Sequence, residues 1–189
     1  IATQEKFTHD SGKFFSTKMS LLDNNLCLPL KDKVKKFSDY IGINQLDTPN
    51  RALVEALFSK KALDMETTEG FRGIPSIGSV VLNQFEQSEI FTTFANQFRK
   101  GDKIFIISSI FGGTGASGFP LLLNTLRTNE DIANHGLINS ATIGAVTVLP
   151  YFKVNQDEES SIESDTFISK TRAALAYYDK NIGDDIDTL

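Results

Sequence analysis

The sequence predicts an α/β fold in three layers, a parallel β-sheet flanked on both faces by helices. Three observations predict it. The apolar run Ile104-Phe105-Ile106-Ile107 leads into a glycine-rich turn and then an apolar helical stretch over 119–126. A second apolar run, 143–148, follows that helix. Strands that alternate with helices in this way give parallel sheets with right-handed crossovers. Finally, 103–108 is apolar without alternation, the pattern of a strand covered on both faces.

The elements follow in order. Residues 1–30 show no period: Phe14, Phe15, Leu21, Leu22 and Leu28 are scattered among polar residues. A helix is expected over 30–40, with Val34 and Phe37 on one face and lysines on the other. Thr48 as N-cap and Pro49 at the first helical position open a helix reaching about 61, with Ala52, Leu53, Ala56 and Leu57 as its apolar face. The stretch 70–75 carries two glycines and a proline and reads as a loop. Ser76 is expected to cap one long helix reaching about 99, with Val80, Val81, Phe85, Ile90, Phe91, Phe94 and Phe98 as a core-facing stripe. Strand 103–108, a helix over 116–127 and strand 143–148 come next. The acidic, serine-rich stretch 153–165 reads as a solvated loop. A helix over 166–182 presents Ile168, Leu175, Tyr178 and Ile182 on one side, and 185–189 opens a further strand. Residues 66–189 are expected to form the core. Residues 1–65 are expected as a helical or irregular part packed on the same domain. The start at Ile1 and the end on Asp187-Thr188-Leu189 lead us to expect a fragment of a longer chain.

Composition narrows the function. The net charge of −5 argues against a general nucleic-acid binder, whose surface is usually basic. No apolar run approaches a membrane span. The single Cys27 excludes an intramolecular disulfide and fits a reducing, cytoplasmic setting. His9 and His135 have no ligating neighbour in sequence, so no protein-supplied metal site is expected. Ser108, Ser109 and Ser117 lack the Gly-x-Ser-x-Gly elbow of a hydrolase nucleophile.

The chemistry lies in Gly112-Gly113-Thr114-Gly115-Ala116-Ser117-Gly118. Glycines let the backbone approach a phosphate with no side chain in the way. A helix N-terminus adds unpaired N–H donors and partial positive charge. Gly113-x-Gly115-x-x-Gly118 satisfies a dinucleotide fingerprint, but that site needs an acid at the end of the following strand. Here the strand ends Leu149-Pro150-Tyr151 and the next acid is Asp157. A Walker loop needs a lysine, and 104–126 has none. The bland alternative is a glycine turn that only lets helix and strand pack closely. In the second turn, Arg72 could neutralise phosphate charge. An exposed loop arginine is an equally good reading.

The run 109–119 resembles the Gly-Gly-Thr-Gly signature of the tubulin and FtsZ superfamily. The leucine-rich helix after it, Leu121-Leu122-Leu123-Asn124-Thr125-Leu126, is similar to the one following that signature. Upstream, Arg72-Gly73-Ile74-Pro75-Ser76-Ile77-Gly78 resembles the family's Arg-Gly-x-x-x-Ile-Gly loop. Downstream, 144–151 resembles the strand and Pro-aromatic turn, and 173–189 the helix and Asp-Thr-Leu strand opening. The resemblance covers about 70–189. It implies a Rossmann-like, tubulin/FtsZ-type domain that binds GTP or GDP with Mg²⁺ carried by the phosphates. Gly112, Gly113, Thr114, Gly115, Ala116, Ser117 and Gly118 would cradle the nucleotide. Arg72, Gly73, Pro75 and Gly78 would form the second loop near the terminal phosphate. Asn155, Glu158 or Glu159 would face the sugar. The resemblance further implies head-to-tail self-association, into an oligomer or filament. GTPase activity would follow if loops outside the chain or a neighbouring subunit supply the catalytic acid. Two other classes stay open: a Rossmann-type oxidoreductase and a non-catalytic interaction domain.

Overall fold

The computed structural model describes residues 36–67, 70–71, 73–151 and 167–189. Expectations for 1–35, for Arg72 and for 153–165 lie outside these residues.

The chain enters at Lys36, whose extended backbone forms an antiparallel bridge with Glu66. Phe37 N then donates to Met65 O at 2.9 Å. This pairing stops the expected 30–40 helix from running through Lys36. The described helical part is α1, Phe37–Tyr40, with Phe37 fully buried. In α2, Thr48–Leu57, the cap is Asp47 and not Thr48: its Oδ1 accepts from Asn50 N at 3.0 Å. Phe58 is extended and Ser59 caps a separate short helix α3, Lys60–Leu63. The apolar face expected of this region is not buried: Leu53 and Leu57 are exposed, and α2 buries no residue.

The long helix expected over 76–99 is broken. Ile74 is the N-cap and Pro75 the first residue of α4, Pro75–Leu82. A 3₁₀ stretch, Asn83–Gln87, tightens the chain, and Ser88 caps α5, Glu89–Gln97, by accepting from Phe91 N at 3.2 Å. The apolar stripe is continuous across the break, but Ser88 offers the backbone a cap, and that local bond wins. Gly101 turns the chain with φ 95°.

Strand β1 is Ile104–Ser109 and β2 is Ile143–Val148, paired in parallel with Ile104 opposite Ile143. Between them come α6, Gly113–Thr128, and a short α7, His135–Asn139. The last helix, α8, is Phe167–Asn181. It buries Phe167, Thr171 and Tyr178, and leaves Ile168 and Leu175 on the surface against expectation. After a 3₁₀ turn, Gly183–Asp185, Thr188 bridges Gly144 in parallel. Where a strand is expected over 185–189, the described residues form this isolated bridge and no strand, and Asp185 belongs to the 3₁₀ turn. Asp187 Oδ2 accepts from Ile143 N at 2.8 Å and helps dock the segment.

The chain is therefore mixed α/β around a two-stranded parallel sheet. The main core joins the inward residues Ile104, Ile106, Ile143 and Ala145 to Phe91, Phe98, Phe119, Leu123, Leu126 and Tyr178. Helices α5, α6 and α8 thus cover one face. The other face carries Phe105, Ile107, Val146 and Val148, all exposed. The expectation that β1 is covered on both sides does not hold among the described residues. Its burial alternates instead. A second cluster, Phe37, Ala62, Met65, Phe71, Ile77 and Val81, packs the 36–67 part onto the far side of α4.

Candidate functional site

The connection from β1 into α6 is short. Buried Ile110 and half-buried Phe111 lead to Gly112, the N-cap, with φ −89° and ψ 159°. Helix α6 begins at Gly113, three residues earlier than expected. The candidate phosphate loop is thus mostly the first two turns of a helix. None of its glycines uses a left-handed φ. Their lack of a Cβ matters through contact. A Cβ on Gly113 would lie 2.7 Å from Phe71 Cβ and 3.1 Å from Ile74 N. One on Gly115 would overlap Ser109 O, and one on Gly118 would lie 3.2 Å from Leu82. Across the helix pair, a Cβ on Gly78 would overlap Ser117 Oγ and lie 2.8 Å from Gly113 O. These glycines let α4, α6 and the end of β1 approach one another at backbone distance.

The second turn, 70–74, is held open by Gly70 and Gly73, with φ 86° and 73°. Ile74 N donates to Phe71 O at 2.8 Å and closes it. The two turns therefore abut, Gly113 lying directly against Phe71 and Ile74. They meet at the carboxyl end of the parallel strands, where ligands of open α/β sheets bind.

This packing sorts the candidate residues. Gly113, Thr114 and Gly115 are the first three residues of a 16-residue helix, so their N–H groups have no intrahelical acceptor. They find no partner among the described residues. Thr114 is exposed. No acid lies in 104–129 or in 70–85 to oppose an anion there. The helix end contributes about half a positive charge. The remaining candidates leave the cradle. Ala116 N donates to Gly112 O, and its own carbonyl accepts from Tyr178 OH at 3.2 Å. Ser117 is buried and spends its hydroxyl on Gly113 O at 2.6 Å. Gly118 faces Leu82, and Gly78 is buried between helices. Pro75 starts α4 and lines a groove of about 650 Å³ between α4, α6 and α8, away from the free amides. Gly73 stays at the junction. Arg72, Asn155, Glu158 and Glu159 lie outside the described residues.

Residues that the sequence argument missed also gather here. Lys170 Nζ donates to Gly73 O at 3.1 Å, which brings a cation to the second turn from 97 positions away. No local motif marks it. Phe111 contacts Tyr151 at a ring distance of 6.4 Å and Phe167 at 5.7 Å. Tyr151 is 79% exposed and stands just after β2. A smaller cavity of about 310 Å³ runs beside β1 and includes Thr114 and Gly115. Tyr178, behind α6, is pushed up to about 12 by its burial, with the neighbouring Tyr177 phenol adding to the shift. It is a packing tyrosine, edge-on to Phe119. His135 contacts Asn139 one turn along the short α7.

Comparison with protein-family models, with curated proteins and with solved structures gives no match.

Proposed function

We propose that this chain is a tubulin/FtsZ-like nucleotide-binding domain, with GTP as its ligand. The phosphates sit on the free N–H groups of Gly113, Thr114 and Gly115, beside the Gly73 turn. One observation carries the proposal: two turns of matching sequence, 39 positions apart from Gly73 to Gly112 in the chain, meet at the carboxyl edge of a parallel sheet and leave three helix-terminal amides unbonded. Backbone donors and the helix end hold polyphosphate without a lysine from the loop itself. The Thr114 hydroxyl lies next to the same amides and serves as a further donor to a phosphate oxygen or to water on Mg²⁺. Lys170 adds a positive charge behind the second turn.

On this reading the sheet extends to the full three-layer Rossmann-like form, and the bare face is where the missing layer lies. Copies associate head to tail in the cytoplasm, and hydrolysis needs an acid from a neighbour or from other sequence. The dinucleotide alternative asks for an acid at the end of β2. Among the described residues that end is Leu149, Pro150 and Tyr151.

A second reading has an observation of its own. Gly78, Gly113, Gly115 and Gly118 are all explained by packing, as in a domain that keeps the architecture and uses it for protein contacts. Titration separates the two. GTP with Mg²⁺ should raise the melting temperature, by the equivalent of about 2.7 kcal/mol at a hundredfold excess over Kd. ATP should act more weakly, and NAD not at all. A flat response to GTP leaves the interaction domain, and a response to NAD alone revives the dinucleotide reading.

A further inference from the structure

An aromatic ring stands in solvent beside the turn that carries the free amides. Strand β2 ends at Val148, and Pro150, which has no amide hydrogen, keeps the ladder from continuing. Tyr151 follows and is 79% exposed. Its ring meets Phe111 at 6.4 Å, with the two planes 80° apart. Phe111 lies 5.7 Å from Phe167, which is buried at the start of α8. Aromatic rings set edge to face attract each other, so Tyr151 is held by a pair of rings rooted in the helix layer. An edge-on contact covers at most one face of a ring, and the exposure of Tyr151 leaves the other face in solvent. The same Phe111 leads into α6. It directly precedes the Gly112 cap and stands two residues before Gly113, the first of the three unbonded amides. At 3.3–3.6 Å per residue, the Phe111 and Gly113 Cα atoms are at most about 7 Å apart. One short loop therefore carries both the amides and the support of the exposed ring.

We propose that Tyr151 is the stacking platform for the base of the bound nucleotide. The inference rests on the phosphate reading above and assigns the far end of the same ligand. With the phosphates on the Gly113, Thr114 and Gly115 amides, the ribose passes Phe111 and the base lies flat on the open face of Tyr151. The opposite flank of the amides, toward β1, offers no such platform. The rings beside its 310 Å³ cavity, Phe85 and Phe119, are half-buried and buried. The contact with Phe111 already orients the Tyr151 ring, so little side-chain freedom is lost when the base arrives. Every base has a π-face. The ring therefore contributes affinity for a base and makes no choice between guanine and adenine, a choice left to groups that read the base edge.

Titration of the full chain with GTP, ATP and inorganic triphosphate, each with Mg²⁺, tests this. Tyr151→Ala should weaken GTP and ATP by the same factor, roughly 5- to 150-fold, and leave triphosphate binding unchanged. Tyr151→Phe keeps a π-face and should bind GTP as the wild type does. Tyr177→Ala removes another exposed tyrosine, on α8, and should change nothing. The sequence contains no tryptophan, so Tyr151→Trp introduces a single reporter. Its fluorescence should be quenched by GTP and not by triphosphate. Unchanged GTP affinity in Tyr151→Ala overturns the proposal and leaves the phosphate reading standing; the ring then serves a protein contact. An equal loss of GTP and triphosphate also overturns it, because the ring would then act by shaping the amide loop. So does a loss confined to GTP with ATP unaffected, which stacking does not produce. Absence of binding by all three ligands removes the phosphate reading, and this proposal with it. Should Tyr151→Ala fail to fold, the tryptophan reporter decides, and an unquenched signal in GTP-bound protein overturns the assignment.

Discussion

The two ends of the glycine signature do different work. From Gly115 to Gly118 the backbone is pressed against Ser109 and Leu82, while Ser117 is locked to Gly113 O and crowds Gly78. At Gly112 and Thr114 the chain is open, although Gly113 between them is buried against Phe71: a Cβ on Gly112 would meet only Ser109 Oγ, at 3.3 Å, and Thr114 is exposed. One run of small residues therefore serves two ends, close packing on its inner side and free amides at its tip. Substitutions on the inner side should cost stability. Those at the tip should cost ligand and little else.

The largest expected effect is on the inner side. Gly115→Ala forces a methyl into the Ser109 backbone, which cannot swing away as a side chain can. It should lower the unfolding free energy by about 3 kcal/mol or more, read in a urea titration. A loss under about 1 kcal/mol, or the gain of about 0.5–1 kcal/mol that alanine gives at an unconstrained helix position, would mean that the contact is loose and the two ends are alike.

Tyr178 sharpens the inner side next. It is buried against Phe119 and donates to Ala116 O. Its folded value of about 12 lies above the ordinary 10.0. The folded state thus holds the phenolic proton more tightly than the unfolded chain. The stabilisation is complete below pH 10 and is lost as pH rises from 10 through 12, roughly 2 to 3 kcal/mol in all. Tyr178→Phe should flatten that part of the stability–pH curve. An unchanged slope in the variant would assign the alkaline loss to other groups.

At the tip the numbers fall. Gly112→Ala should cost only about 1 kcal/mol or less, because alanine is a poorer N-cap than glycine and Ser109 Oγ can rotate aside. A thermal melt would check it, and a loss as large as that of Gly115→Ala would erase the distinction between the two ends.

Much of this was legible in the sequence, and the failures have identifiable causes. Strand 143–148 and the strand–glycine–helix order are where the periodicity put them. The apolar stripe over 76–99 predicts one helix, and the structure breaks it because Ser88, a polar residue like any other in that stripe, caps a new helix. The apolar run of β1 predicts a strand buried on both faces. Periodicity reports what a strand could bury, and the described residues cover only one side. Within the site, composition could not say which glycines serve contact, because Gly115 and Gly112 look alike until Ser109 is placed beside them. Lys170 was invisible for a simpler reason. It reaches Gly73 across 97 positions, and no local spacing encodes that distance.

The smallest stability change makes the most direct test. Thr114→Glu places a carboxylate in the first turn of α6, where it complements the helix end. The ligand-free protein should be stabilised by roughly 0.3 to 1 kcal/mol. The same carboxylate occupies the position assigned to phosphate. The variant should melt at or above the wild-type temperature and show no further rise with Mg²⁺ and GTP, while the wild type shows a clear one. A variant that keeps the full GTP-induced rise would contradict that assignment, and so would a wild type that shows none.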